Sequence, residues 1–173
     1  MSVQNARQER HSRDLTTPVS RADISPFADQ DVDAVRLLLV EYASSLSVDL
    51  AFQSFDDELA GLPGRYAPPG GALLIARVDG EPIGCVGLRP LDEETCELKR
   101  LFVRPAHRGD GTGLRLAEEA VAEARRLGYR RLRLDTIPGM ERAQALYERI
   151  GFREIAPYTR NPVPGTRFLE LAL

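Results

Sequence analysis

Gly109, Gly111 and Gly113 fall within five positions, in the run Arg108-Gly109-Asp110-Gly111-Thr112-Gly113, just ahead of a helical pattern. The start of a helix leaves backbone N–H groups without intrahelical partners, and the aligned peptide dipoles make that end partly positive. Glycine admits positive φ and puts no side chain between backbone and ligand, so such N–H groups can close on an anion. The chemistry on offer is a phosphate cradle. A flexible, glycine-rich turn is the plainer reading of the same residues. Two other phosphate loops fail on inspection. No Gly-Lys-Ser/Thr follows the glycines, and Leu114 and Leu116 stand where a dinucleotide fingerprint needs its third glycine.

The flanking segments must position this turn. Downstream, Leu114, Ala117, Val121 and Ala124 recur at helical spacing with Ala120 in the same stripe, Arg125 and Arg126 occupy the last turn, and Gly128 supplies a stop. Upstream, Cys96 and Leu98 alternate with Glu97 and Lys99, but Leu101 and Val103 then share the parity of Glu97. A one-residue slip within a strand is what a β-bulge produces, and a bulged strand splays from its neighbour, freeing backbone groups for a ligand. A regular strand buried on both faces near its end gives the same pattern.

With Val103-Arg104-Pro105 and Arg108-x-x-Gly111-x-Gly113, this strand, loop and helix resemble the central motif of the GNAT acyltransferase superfamily, whose members bind acetyl-coenzyme A. The resemblance runs over roughly residues 24–173. It implies a mixed α/β fold, a central sheet flanked by helices. It implies that Leu101, Phe102 and Val103 offer backbone groups to the pantetheine arm. The pyrophosphate would lie on the N–H groups of Arg108, Gly109, Asp110, Gly111, Thr112 and Gly113. Glu97, four residues before the pantetheine triplet, fits the place of the family's glutamate base, and Lys99 on the same strand face is expected to stabilise its carboxylate; a solvated strand carboxylate is the alternative. Ala143-x-x-Leu146-Tyr147-x-x-x-Gly151-Phe152 matches the last helix of the family, whose tyrosine protonates the leaving thiolate. Tyr147 is otherwise a core residue on an apolar stripe. The family usually has Asn where Met140 stands.

The rest of the chain suits one domain. At 173 residues, with 43% hydrophobic and 28% charged residues, the composition is that of a soluble globular protein with one core. A net charge of −3 argues against nucleic-acid binding, and no apolar run reaches membrane-spanning length. Residues 1–20 are polar and aperiodic and read as a disordered extension ahead of a domain at 21–173. A first strand is expected at 21–24, then a helix capped by Asp29 or Asp31, a shorter helix carrying Phe52, Phe55 and Leu59, and a hairpin turning at Asp79-Gly80. After the central helix come a strand at residues 131–136, parallel to the central one, the Tyr147 helix, and closing strands at 152–155 and 167–173.

Cys85 and Cys96 sit in strand-like runs and read as buried free thiols of a reducing cytosol, not as a disulfide or metal pair. His11 lies in the tail and His107 in the loop, so a histidine-based nucleophile triad is excluded. Cys96 as an acyl-carrying nucleophile is a minor alternative. The acceptor pocket of the fold lies between the first helices and the last hairpin, which makes Tyr42, Phe52, Phe55, Tyr158, Arg160 and Asn161 candidates by location. The reading is a cytoplasmic acetyl-CoA-dependent N-acetyltransferase without a metal, acting on a small-molecule or peptide amine, with homodimerisation left open. The competing readings are a catalytically inactive acyl-CoA-binding module and a nucleotide-binding structural domain.

Overall fold

A computed structural model describes residues 21–173, so the N-terminal extension lies outside the described residues. Seven strands form one sheet in the order β1-β2-β3-β4-β5-β7-β6. They are β1 (Asp23–Pro26), β2 (Ala72–Val78), β3 (Glu81–Pro90), β4 (Thr95–Val103), β5 (Arg131–Thr136), β6 (Arg153–Glu154) and β7 (Arg167–Ala172). All neighbours are antiparallel except β4 and β5. The exception follows from the chain between them, because α3 (Thr112–Arg126) carries it back across the sheet as a crossover.

Helices cover both faces. On one, α3 inserts Leu116, Ala120, Val121 and Ala124 against Val86, Leu88, Leu98, Leu132 and Leu134, and α4 (Glu141–Ile150) adds Tyr147. Leu116, in the slot of a missing fingerprint glycine, is a fully buried core residue. On the other face α1 (Val32–Ser45) packs Val35, Leu38 and Leu39 over Ile75, Cys85 and Phe102.

Several local expectations are corrected. β1 begins at Asp23, two residues later than the sequence suggests. The shorter helix is split by left-handed Ser54 (φ 54°), leaving α2 as Phe55–Ala60. Asp31 precedes α1 but does not cap it through its side chain. Its carboxylate instead accepts the Ala28 N–H at 2.9 Å and pairs with Arg77 at 2.7 Å.

The parity slip in β4 is a bulge. Gly87 pairs with Lys99 and Cys85 with Phe102, so Arg100 and Leu101 together oppose Val86. Arg100 is left-handed (φ 59°), an uncommon state for a residue with a side chain. Its side chain supplies the compensation: the guanidinium donates to both Glu58 oxygens at 2.9 and 2.8 Å and lies over the Phe55 ring. The Arg100 carbonyl accepts the Cys85 thiol at 3.6 Å.

Candidate active site

Beyond the bulge the sheet opens. The parallel ladder pairs Thr95, Cys96 and Glu97 with Arg131, Leu132 and Arg133, and ends there. A cavity of about 40 Å³ lies at this opening, lined among others by Lys99, Leu101, Thr136, Met140 and Tyr147. That is room for a group the size of a few waters. On one side the opening is stapled by Lys99, whose ammonium donates to Asp135 at 2.9 Å, with both side chains buried. Asn161 donates to the other Asp135 oxygen at 2.7 Å. Burial alone would raise the Asp135 carboxyl, but the Lys99 charge and the two hydrogen bonds outweigh it and hold the group below its ordinary value.

Tyr147 reaches this cavity from α4. Its ring is buried edge-on against Phe152, with centroids 5.6 Å apart. Burial, and then the nearby Tyr42 and Asp135, push its ionisation well above the ordinary tyrosine value, and at neutral pH the hydroxyl carries its proton as any tyrosine does. Met140 immediately precedes α4 and also lines the cavity, giving it an apolar thioether where an amide is usual in the family. Thr136 is 2% exposed and its hydroxyl oxygen has no hydrogen-bond partner among the described residues.

The glycine loop sits at the end of β4. Gly109 (φ 93°) and Gly111 (φ 88°) are left-handed, and a Cβ on either would point into open space. The N–H groups of Gly109, Gly111 and Gly113 meet no acceptor among the described residues. The loop is held from both sides. Arg108 donates to the Val103 carbonyl at 2.7 Å and lies over the Phe102 ring, while Asp110 accepts the Thr112 N–H at 2.8 Å. Against desolvation, the hydrogen bonds from Thr112 hold the Asp110 carboxyl below its ordinary value.

Glu97 is placed differently from expectation. It is 1% exposed, and Lys99 is not its partner because Lys99 is committed to Asp135. Arg89 donates to one Glu97 oxygen at 2.6 Å and the Tyr158 hydroxyl to the other at 2.8 Å. Arg89 stands directly opposite Glu97 in the β3–β4 register, which a reading of β4 alone does not reveal.

The other candidates divide. Tyr42, Phe52 and Asn161 line the cavity. Phe55 is a buried core residue under Arg100, and Arg160 is exposed. Cys96 is fully buried, with desolvation pushing its thiol up to about 12, which removes it as a nucleophile. Asp135, Thr136, Gln53 and Arg89 escaped the sequence reading. The signal for Asp135 was its parity with Arg131 and Arg133, opposite the apolar Leu132 and Leu134.

Among the described residues no group of three or more His, Cys, Asp or Glu is placed to hold a metal ion, and no helix is long and apolar enough to cross a membrane. Residues 33–152 match the acetyltransferase (GNAT) family. An uncharacterised N-acetyltransferase of Schizosaccharomyces pombe is 39% identical over 146 residues, covering 83% of this chain and 90% of the relative. An uncharacterised N-acetyltransferase of Escherichia coli, YjgM, is 35% identical over 124 residues, covering 70% of this chain and 73% of its own length. Among solved structures, Salmonella typhimurium yncA with its cofactor acetyl-CoA superposes with a TM-score of 0.70 at 20% identity, covering 88% of this chain and 94% of that one.

Proposed function

Because the chain belongs to the GNAT acetyltransferase family, we propose that it transfers an acetyl group directly from acetyl-CoA to a primary amine. The observation that carries this reading is the juxtaposition at the end of β4. There the β4–β5 ladder stops at Glu97, a protonated tyrosine lines the cavity beyond it, and the unpartnered N–H groups of Gly109, Gly111 and Gly113 follow past the end of the same strand.

The residues fit acetyl-CoA. The N–H groups of the 108–113 loop suit a pyrophosphate. Leu101, Phe102 and Val103, on the stretch of β4 without a β5 partner, would hold the pantetheine arm by their backbone. The unpartnered Thr136 hydroxyl offers one more polar contact inside the opening. Acetyl-CoA, when bound, supplies the activated acetyl group and a thiolate leaving group.

Tyr147 holds a proton at its hydroxyl oxygen and lines the cavity, so it is the general acid for that thiolate. An amine with a pKa near ~10 arrives protonated and needs a base. Glu97 is too buried to meet it directly. The Tyr158 hydroxyl that donates to Glu97 is the intermediary, taking the amine proton as its own passes to Glu97 Oε1. Asp135 is held below the ordinary carboxyl value by Lys99, which weakens it as a base. The buried free thiols Cys85 and Cys96 fit a reducing, cytosolic setting.

Calorimetric titration with acetyl-CoA on wild type, Gly111→Val and Tyr147→Phe, followed by turnover on an amine panel, tests the assignment. Binding by wild type and Tyr147→Phe, with weak binding by Gly111→Val, is expected. Turnover in Tyr147→Phe should fall by roughly 100-fold. Binding without turnover of any amine would leave an acyl-CoA-binding module, and no binding would remove the enzyme reading.

A further inference from the structure

The acyl-transfer cavity has a larger neighbour. A cleft of about 350 Å³ opens between α2 and the end of β3, and Gln53 lines both spaces. The charges around the cleft are not equally committed. Glu58 gives both carboxylate oxygens to Arg100 and also accepts the Tyr66 hydroxyl at 2.8 Å. Arg89 spends only Nε on Glu97, and its two terminal nitrogens meet no acceptor among the described residues. Arg65 donates one nitrogen to the Pro90 carbonyl at 2.7 Å and has no carboxylate partner among the described residues. Asp57 also lines the cleft, from the solvent-exposed side of α2. A second observation comes from Gln53 itself, whose side-chain carbonyl oxygen is buried without a hydrogen-bond partner.

An open guanidinium fork beside a second, unpaired guanidinium is matched to the two oxygens of a carboxylate. We propose that this cleft binds a carboxylate on the acceptor, so that the acceptor is a small amino-acid-type compound whose amine passes Gln53 into the cavity. Arg89 and Arg65 hold the carboxylate, and the Gln53 carbonyl accepts an N–H of the incoming amine. The inference rests on the acetyl-transfer reading and adds the acceptor class to it. It also links recognition to chemistry, because the same Arg89 that reads the carboxylate fixes Glu97 through Nε.

The test is equilibrium binding of N-acetylalanine and of its uncharged amide, N-acetylalaninamide, by calorimetry or NMR. The probes are wild type, Arg65→Ala and Arg89→Lys. Wild type should favour the acid by about tenfold or more, the scale of one charge-assisted hydrogen bond. Both variants should narrow that preference, Arg89→Lys despite keeping a positive charge for Glu97. Equal binding of acid and amide, no binding of either, or a preference surviving in both variants would overturn the inference. Turnover separates it from the reading beneath it. Amines acetylated without preference for amino acids over their decarboxylated counterparts sink the cleft and spare the acetyltransferase. Acid-selective binding without turnover does the reverse.

Discussion

The two faces of this sheet solve opposite problems. Under α3 and α4 the contacts are Leu, Val and Ala against Leu, with Leu116, Leu132 and Ala124 wholly buried. Under α1 and α2 the apolar layer of Val35, Leu38 and Phe102 covers only part of the sheet. The remainder is tiled with ion pairs: Arg89–Glu97, Lys99–Asp135, Arg100–Glu58 and Arg133–Glu170. Burying such pairs costs desolvation that their attraction only partly offsets, and well-packed apolar residues are often at least as stable in their place. The first face therefore holds the fold together. The second carries a polar floor at a stability cost, and that floor borders both the cavity proposed for acetyl transfer and the cleft proposed for the acceptor.

The contrast is broken most forcefully at Arg100. Glu58→Ala leaves a guanidinium with 1% side-chain exposure unpaired, and a loss of about 3–5 kcal/mol in urea unfolding is expected. Replacing both partners, as Glu58→Leu with Arg100→Met, should cost less than the single change. A single-variant loss below about 1 kcal/mol would class the pair with surface salt bridges and dissolve the contrast. On the apolar face, Leu132→Ala should cost about 2–5 kcal/mol through lost transfer energy and a cavity. Its kcat/KM toward amines should stay near wild type, since Leu132 touches the α3 side only; a tenfold fall would mean that the two faces are mechanically coupled.

Acid sharpens the comparison further. Asp135 and Glu58 are desolvated, yet their cationic partners hold both carboxyls below the ordinary range. Their folded values lie beneath the unfolded ones of about 4, so their contribution is fully present above that pH. It is lost as pH falls through the folded values. The urea midpoint of wild type should therefore drop below about pH 4, and Asp135→Asn should flatten part of that drop while starting from lower stability at neutral pH. An acid arm of unchanged steepness in Asp135→Asn would remove the Lys99–Asp135 pair from the account.

The apolar face was the legible one. Its stripes follow the helix and strand periods, and the β4 parity slip at Leu101 marks the bulge because register there is set by burial. The polar face was not, because its chemistry is decided across strands. Glu97 and Lys99 share a face two residues apart, which suggests a pair, whereas the register gives Glu97 to Arg89 and Lys99 to Asp135. The split of the second helix at Ser54 was equally hidden, since a φ of 54° is uncommon at any residue but glycine and a lone serine does not announce it. Tyr147 is half legible. Its spacing is visible in sequence, but the desolvation that raises its ionisation belongs to the assembled structure.

The smallest effect asks which part of the loop at the end of β4 does the binding. Arg108 is the only charged-positive side chain of the 108–113 segment, and on charge alone it would be the phosphate ligand. Its guanidinium instead turns back to the Val103 carbonyl and the Phe102 ring. On the proposed reading the anion is left to backbone N–H groups, whose orientation depends on left-handed Gly109 and Gly111. A β-branched residue at φ 88° is strained by about 1–3 kcal/mol, so Gly111→Val should weaken acetyl-CoA binding by roughly tenfold or more. Arg108→Ala loosens the support of the loop but leaves its N–H groups where they are, and a loss of only about two- to threefold is expected, near 0.5 kcal/mol. Titration of both variants with acetyl-CoA decides the matter. If Arg108→Ala were the more damaging of the two, the side-chain charge would be the ligand and the glycines merely a turn.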